Sequence, residues 1–261
     1  MKFDKLRPPS WQRYLAHHSA HDGLWIFQHV PKTAGSSITA ALSAHAAPYT
    51  NIAADRAADQ PLRAQYRDMA ANAPLERNGV PLRSVSGHLW KSDVDLLLSR
   101  SPNARLFTFV REPVRRVISD FRYSRTPAHA HWEKQLADFP DLDAYIEGSP
   151  AVRNKTVFFL AGVRDGDPAE IVPWILSRFD YIGLLEEMAL SHAILSHLLR
   201  MPEAEAEHRR TTEEVAANAE RPTEAQLDRI RAMNRLDEAL FNAVSLTHRR
   251  LRARSLPEMA A

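Results

Sequence analysis

The sequence predicts an α/β fold, a central parallel sheet flanked by helices. Strand-length apolar runs rich in aromatic and β-branched residues recur at Leu24–Val30, Arg105–Val110 and Tyr181–Leu185, and each is followed by a helical pattern. The first of these units, L-W-I-F-Q-H-V-P-K-T-A-G-S-S-I-T-A-A-L over Leu24–Leu42, reads as strand, tight turn and helix. With no internal repeat, no heptad array and no Gly/Ser linker, the 261 residues are expected to form a single domain, 1–261.

Composition narrows the class further. At 44% hydrophobic the chain can bury a sizeable core, and 34 Lys+Arg against 32 Asp+Glu give a net charge of +2. That balance does not suit a general nucleic-acid binder, although a local basic site remains open. Cys is absent, which excludes disulfides, thiol catalysis and Cys-based zinc sites and fits a reducing compartment. No apolar run approaches the roughly 18 residues of a membrane helix. The N-terminal M-K-F-D-K-L-R-P-P-S-W has no apolar core of a signal peptide. The expectation is a soluble cytoplasmic protein with no membrane insertion; the oligomeric state is not legible.

Taken in order, residues 1–23 are expected to be a peripheral lead-in. His17 and His21 lie one helical turn apart there, without the intervening carboxylate of a metalloprotease helix, and are expected to be uncoordinated. In the opening unit the turn Pro31-Lys32-Thr33-Ala34-Gly35 leads into Ser36, Ser37 and a helix. Backbone N–H groups at a helix N-terminus lack internal partners, and the dipole adds positive potential. Gly35 would allow an anion to approach the backbone, Lys32 supplies a mobile charge, and Thr33, Ser36 and Ser37 supply hydroxyls. The nucleotide motif G-x-x-x-x-G-K-[ST] is not met, because Lys32 precedes the only Gly. An ordinary strand–turn–helix with a surface Lys is the simpler alternative.

Asn51–Asn78, broken by Pro61 and Pro74, is expected to form one or two surface helices. Val80–Ser86 reads as a short strand ending in Gly87-His88-Leu89-Trp90, where parallel sheets gather ligands. Ser92 or Asp93 would cap a helix through Leu98. After Arg105–Val110, the helix beginning at Pro113 places Val114, Val117, Ile118 and Phe121 on one face. Arg111 then falls at the strand end and Ser119 on the helix. On spacing alone, Arg111 paired with Glu112 or a distant carboxylate and Ser119 tolerated in a helix explain these residues somewhat better than a site does. Further helices are expected at Leu142–Ile146, Val152–Leu160, Pro168–Phe179, Glu187–Arg200 and, as one long helix, Thr223–Arg250, followed by a frayed tail at 251–261. In the polar stretch Met201–Arg221, Arg209-Arg210-Thr211-Thr212 suits a phosphate clamp or a disordered loop.

With these landmarks in place the chain resembles the PAPS-dependent sulfotransferases, and most of all the carbohydrate branch of heparan-sulfate and uronyl 2-O-sulfotransferases. His29-Val30-Pro31-Lys32-Thr33-Ala34-Gly35-Ser36-Ser37 is similar to the family's 5′-phosphosulfate loop. Gly87-His88 resembles the Gly-His ahead of its second core strand. Phe107 to Pro113 and on to Ser119 resembles its 3′-phosphate strand and helix, with the same Arg-to-Ser spacing, and Arg209-Arg210-Thr211-Thr212-Glu213 looks like a late cofactor-covering loop. The likeness spans about residues 24–250, loosely in the middle of the chain.

The resemblance implies a P-loop-like three-layer fold and sulfuryl transfer from PAPS, leaving PAP, to an acceptor hydroxyl, expected on a saccharide. The 5′-phosphosulfate would lie on Lys32, Thr33, Ala34, Gly35, Ser36 and Ser37. The 3′-phosphate would lie on Arg111 and Ser119, with Arg209, Arg210, Thr211 and Thr212 closing over it. Lys32 would steady the leaving phosphate, and His88 would be the general base, since a neutral imidazole accepts a proton near pH 7. Alternatives for the base are Asp, Glu or His29, and His88 could instead be a buried structural histidine. No metal is required. Lacking the membrane anchor and Cys of the vertebrate Golgi enzymes, the chain is expected to be a soluble bacterial-type relative. The rival readings are a P-loop phosphotransferase or kinase-like enzyme and a non-catalytic PAP- or glycan-binding module.

Overall fold

A computed structural model describes residues 1–55, 60–202 and 221–259, with side chains described as far as 253. In chain order the elements are α1 (Trp11–Ser19), β1 (Trp25–Gln28), α2 (Gly35–His45), β2 (Tyr49–Ile52), α3 (Leu62–Asn72), β3 (Glu76–Arg77), β4 (Val80–Pro81), β5 (Ser84–Gly87) and α4 (Lys91–Arg100). There follow β6 (Arg105–Val110), α5 (Pro113–Ser124), α6 (Trp132–Asp138), α7 (Leu142–Gly148), α8 (Lys155–Ala161), α9 (Pro168–Arg178), β7 (Tyr181–Leu184), α10 (Met188–Leu199), α11 (Glu224–Met233) and α12 (Arg235–Met259).

The main sheet has the order β2-β5-β1-β6-β7, and every neighbouring pair is parallel. β1, β5 and β7 are buried along their length and β6 at every residue but Arg105, as parallel strands covered by helices on the sheet faces must be. This is the α/β fold with a helix-flanked parallel sheet that the sequence predicts. From β1 the chain crosses through α2 to the β2 edge, whereas β5 leads through α4 to β6 on the other side of β1. Connections that diverge in this way open a crevice at the carboxyl ends of the strands.

Several elements differ from the sequence reading, each for a local reason. β2, which overlaps only the first two residues of the stretch read as helical (Asn51–Asn78), was not foreseen, because it is a short edge strand with only Ile52 buried. It is held by β5, with Ser86 Oγ donating to Asn51 Oδ1 at 2.9 Å and Tyr49 Oη 2.6 Å from Ser86 Oγ. The run at Val80–Ser86 splits into exposed β4, paired with β3 in a separate antiparallel ribbon, and buried β5. The helix expected to be capped by Ser92 or Asp93 begins earlier, at Lys91, and Asp93 closes it from inside by accepting the Trp90 N–H at 2.7 Å. The lead-in is not peripheral: Phe3, Leu6, Trp11 and Tyr14 belong to the main core. At the far end Leu251 is also buried there.

The expected helix from Thr223 to Arg250 is divided at Asn234. The cause is a buried polar exchange with the start of α8. Asn154 N donates to Asn234 Oδ1 at 3.1 Å, and Leu236 N donates to Asn154 Oδ1 at 3.1 Å. Asn154 itself is left-handed (φ 41°), which delays α8 to Lys155. Beside it the buried Asp237 carboxylate accepts the N–H groups of Thr156 (3.0 Å) and Val157 (2.8 Å) and lies 3.9 Å from Arg116 Nε. Asp237 therefore ties α12, α8 and α5 together. Removing the carboxylate would strand these two buried N–H groups, each at a cost of about 1–3 kcal/mol, and would take from Arg116 one of the two carboxylates, Asp237 and Asp120, that lie 3.9 Å from it. Asp237→Ala is expected to lower the unfolding free energy by about 3 kcal/mol in urea titration. A loss no larger than the about 0.5 kcal/mol typical of surface changes would contradict this anchor.

Candidate functional site

The loop after β1 is strained in a specific way. Lys32 (φ 69°) and Ala34 (φ 73°) are both left-handed, without being glycine. Each such residue costs roughly 1–2 kcal/mol. This kind of backbone turns successive N–H groups to one concave side and forms an anion-binding nest. Ala34 occupies the cap position of α2 and has no side-chain acceptor to offer, so the positive end of that helix remains suited to an anion. At α5 the situation is reversed. The Glu112 carboxylate accepts from Val114 N at 2.9 Å and Arg115 N at 2.7 Å, closing that N-terminus with the chain's own negative charge.

Among the predicted loop residues, Thr33 is fully buried and its hydroxyl donates to Val30 O at 2.8 Å. Its single hydroxyl proton is thus committed to the loop, and only its backbone N–H suits a ligand. Ser36 and Ser37 lie in the first turn of α2 and are partly exposed. Lys32 Nζ lies 4.0 Å from the centroid of the Tyr123 ring on α5, a cation–π contact.

Arg111 leaves the end of β6 and its Nη1 donates to Lys32 O at 3.3 Å. Two segments nearly eighty residues apart are thereby joined at the crevice. Burial lowers the Arg111 pKa, with Glu186 opposing the shift; a guanidinium remains charged all the same. Ser119 lies on α5 one turn before Tyr123, at i and i+4, and so on the face against which Lys32 packs. Lys32 and Arg111 are therefore joined, with α5, the helix that carries Ser119, packed against Lys32 through Tyr123.

The third segment follows β5. His29 N donates to Gly87 O at 3.0 Å, and the His88 ring Nδ1 lies 3.0 Å from His29 O. The strand ladder is thus continued by one residue and finished by a side chain. A carbonyl only accepts, so Nδ1 of His88 carries the proton, and in the neutral ring Nε2 bears the lone pair.

Two features of the packing were not visible in the sequence. One is the placement of the His29 ring, named above only as an alternative base, which stacks on Phe27 (centroids 5.3 Å, 17°) and lies 4.2 Å from the His88 ring. The other is a buried charge cluster beside Ser119. Asp120 accepts from Lys155 Nζ at 2.7 Å and from Tyr145 Oη at 3.3 Å, with Arg116 at 3.9 Å. Burial pushes the Asp120 carboxyl up, but Lys155 and Arg116 outweigh it and hold it below the usual range. The i, i+4 spacing of Arg116 and Asp120 was visible in sequence; their burial and the arrival of Lys155 from α8 were not.

Arg209, Arg210, Thr211 and Thr212 lie outside the described residues. Among the described residues no group of three or more His, Asp or Glu side chains is arranged to hold a metal ion, and no helix is long and apolar enough to cross a membrane. No protein-family model matches the chain, and no curated protein matches it. Among solved structures, mouse sulfotransferase SULT7A1 complexed with PAP aligns over 74% of this chain and 65% of its own, at 14% identity and a TM-score of 0.40. The chain thus spans less than two thirds of that protein, and the likeness is distant.

The strain in the loop can be tested without a ligand. At a left-handed position glycine removes a penalty of roughly 1–2 kcal/mol but adds unfolded-state entropy of about 0.4–1 kcal/mol. Ala34→Gly is expected to be neutral or stabilising by up to about 1 kcal/mol. Ala40→Gly, inside α2, should destabilise by about 1 kcal/mol. Equal losses at both positions would show that Ala34 is not left-handed in solution.

Proposed function

We propose that this chain is a sulfotransferase that moves the sulfuryl group of PAPS to an acceptor hydroxyl, expected to belong to a saccharide. The observation that carries the reading is the junction of Arg111 with Lys32 beside the side-chain-uncapped N-terminus of α2. PAPS bears two anionic groups on one nucleotide, a 5′-phosphosulfate and a 3′-phosphate, and the Arg111–Lys32 junction would offer a separate cation to each. A plain phosphate site would need only one. The donor set fits: a strained backbone nest, one lysine, one partly buried arginine and a helix hydroxyl.

When bound, PAPS supplies a sulfuryl group activated by its phosphate leaving group. The chain's own residues would then act as follows. The N–H groups of residues 33–36, with the hydroxyls of Ser36 and Ser37, hold the 5′ end, the Ser37 N–H being donated to Ala34 O at 3.2 Å. Lys32 balances the charge that grows on the 5′-phosphate as the sulfuryl group departs, a fixed electrostatic contribution that needs no rearrangement. Arg111 and Ser119 hold the 3′-phosphate. Arg209, Arg210, Thr211 and Thr212 belong to the proposal on their sequence alone. His88 Nε2 takes the proton of the acceptor hydroxyl. Asp120 is a poor rival for that task, being tied to Lys155 at 2.7 Å and held below the usual carboxylate range after burial is outweighed. The expected compartment is the cytoplasm.

The reading separates from a phosphotransferase by ligand. PAP at 100 times its Kd is expected to stabilise the chain by about 2.7 kcal/mol, seen as a raised melting temperature, with no such effect from ATP·Mg²⁺. Protection by ATP·Mg²⁺ alone would reverse the assignment. Arg111→Ala should weaken PAP binding about 10- to 100-fold in calorimetry, the loss expected for a charged hydrogen bond. Unchanged affinity would take Arg111 out of the site. With labelled PAPS and an acceptor found by screening, His88→Ala should cut turnover about 10²- to 10⁴-fold while PAP still binds. A non-catalytic binding module would bind PAP and transfer nothing in any such screen.

A further inference from the structure

The His29 ring lies between His88 and the start of α2, and the scheme above gives it no task. On one side it lies 4.2 Å from the His88 ring, tilted by 30°. On the other it occupies the space where a side chain on Gly35 would stand: a Cβ built there would fall 1.7 Å from His29 Nε2. Gly35 is the first residue of α2, the helix whose N-terminus carries the nest. The glycine is thus required by the imidazole of this chain itself, not only by a ligand. Phe27 backs the ring at 5.3 Å, so His29 cannot retreat toward the sheet. Its backbone is engaged as well, with N–H to Gly87 O and C=O from His88 Nδ1. Burial first, then the nearby His88 and Lys32, hold its imidazole well below the ordinary range, so it stays neutral and is unsuited to be the base itself.

We propose that His29 is a positioning residue that couples the anion cradle at the start of α2 to the His88 imidazole. Wedged between Gly35 and His88, the ring fixes the plane of His88 and keeps its Nδ1–H directed at the His29 carbonyl. The Nε2 lone pair is thereby held at a set place relative to the nest. A change in the first turn of α2 reaches His88 through this single side chain. The inference rests on reading His88 as the proton acceptor, and its test is chosen to fail separately from that reading.

The test uses the full chain labelled with ¹⁵N-histidine, its ring nitrogens observed by NMR at neutral pH, with His88→Ala for assignment. Wild type and His29→Phe, which keeps a flat face, should both show His88 protonated on Nδ1. His29→Ala should release the ring, so that the Nε2–H tautomer rises. Gly35→Ala, whose methyl must displace His29, should do the same. Addition of PAP should shift the His88 nitrogens in wild type and His29→Phe. The shift should vanish in His29→Ala even though PAP affinity by calorimetry stays within about 5-fold. His29→Leu, which fills the space without a flat face, replaces His29→Ala should that variant fail to fold. An unchanged His88 tautomer and an unchanged PAP-induced shift in these variants would overturn the proposal. A wild type that binds no PAP would instead remove the functional reading, while the tautomer comparison would still decide the role of His29.

Discussion

The parallel pairing of β1 between β5 and β6 is the constraint on which the site depends. Gln28 lies opposite Gly87, and Phe27 opposite both Ser86 and Phe107. All three strands therefore point the same way, and each releases its chemistry at the same edge. Parallel strands need helical crossovers, so the loops at this edge are free of hairpin duty and can carry functional groups. Because the crossovers from β1 and β6 run to opposite sides, the loops at Lys32 and Arg111 separate enough to leave a crevice and remain close enough for a 3.3 Å hydrogen bond.

The edge is rigid because buried polar groups hold it from beneath. The Gln28 amide, fully buried at the end of β1, donates to Leu89 O at 3.1 Å and Phe159 O at 2.6 Å. One side chain thus joins the strand below the nest, the segment after His88 and helix α8. Lys155 at the start of α8 then reaches α5 through Asp120, and Asp237 closes the same helix from α12. Such groups stabilise a fold only when their partners are present, which makes the arrangement specific more than it makes it strong. It also offsets the left-handed strain at Lys32 and Ala34, since a strained loop persists only where its surroundings determine it.

Much of this was legible in the sequence, for physical reasons. β1, β6 and β7 are continuous apolar runs because both faces of a parallel sheet are covered, and such runs are easy to see. Arg111 and Lys32 were legible as charged residues at strand ends. β2 was not, because an edge strand with one buried side chain has no apolar signature. The break at Asn234 was hidden too, since it depends on Asn154, distant in sequence and near in space. Within the site, the roles of Gly35 and Thr33 were read from chemistry alone. Packing gives each a task the sequence did not show: the glycine accommodates His29, and the threonine hydroxyl closes the loop onto Val30. Side-chain packing across a sheet edge leaves no pattern along one strand.

The central claim is that one nucleotide spans the nest at α2 and the guanidinium of Arg111. A crystal structure of the chain with PAP tests it most directly. The account predicts the 5′-phosphate against the N–H groups of residues 33–36 beside Lys32, and the 3′-phosphate on Arg111 and Ser119. A nucleotide bound away from the crevice, or lying in it with neither phosphate on these residues, would contradict the account.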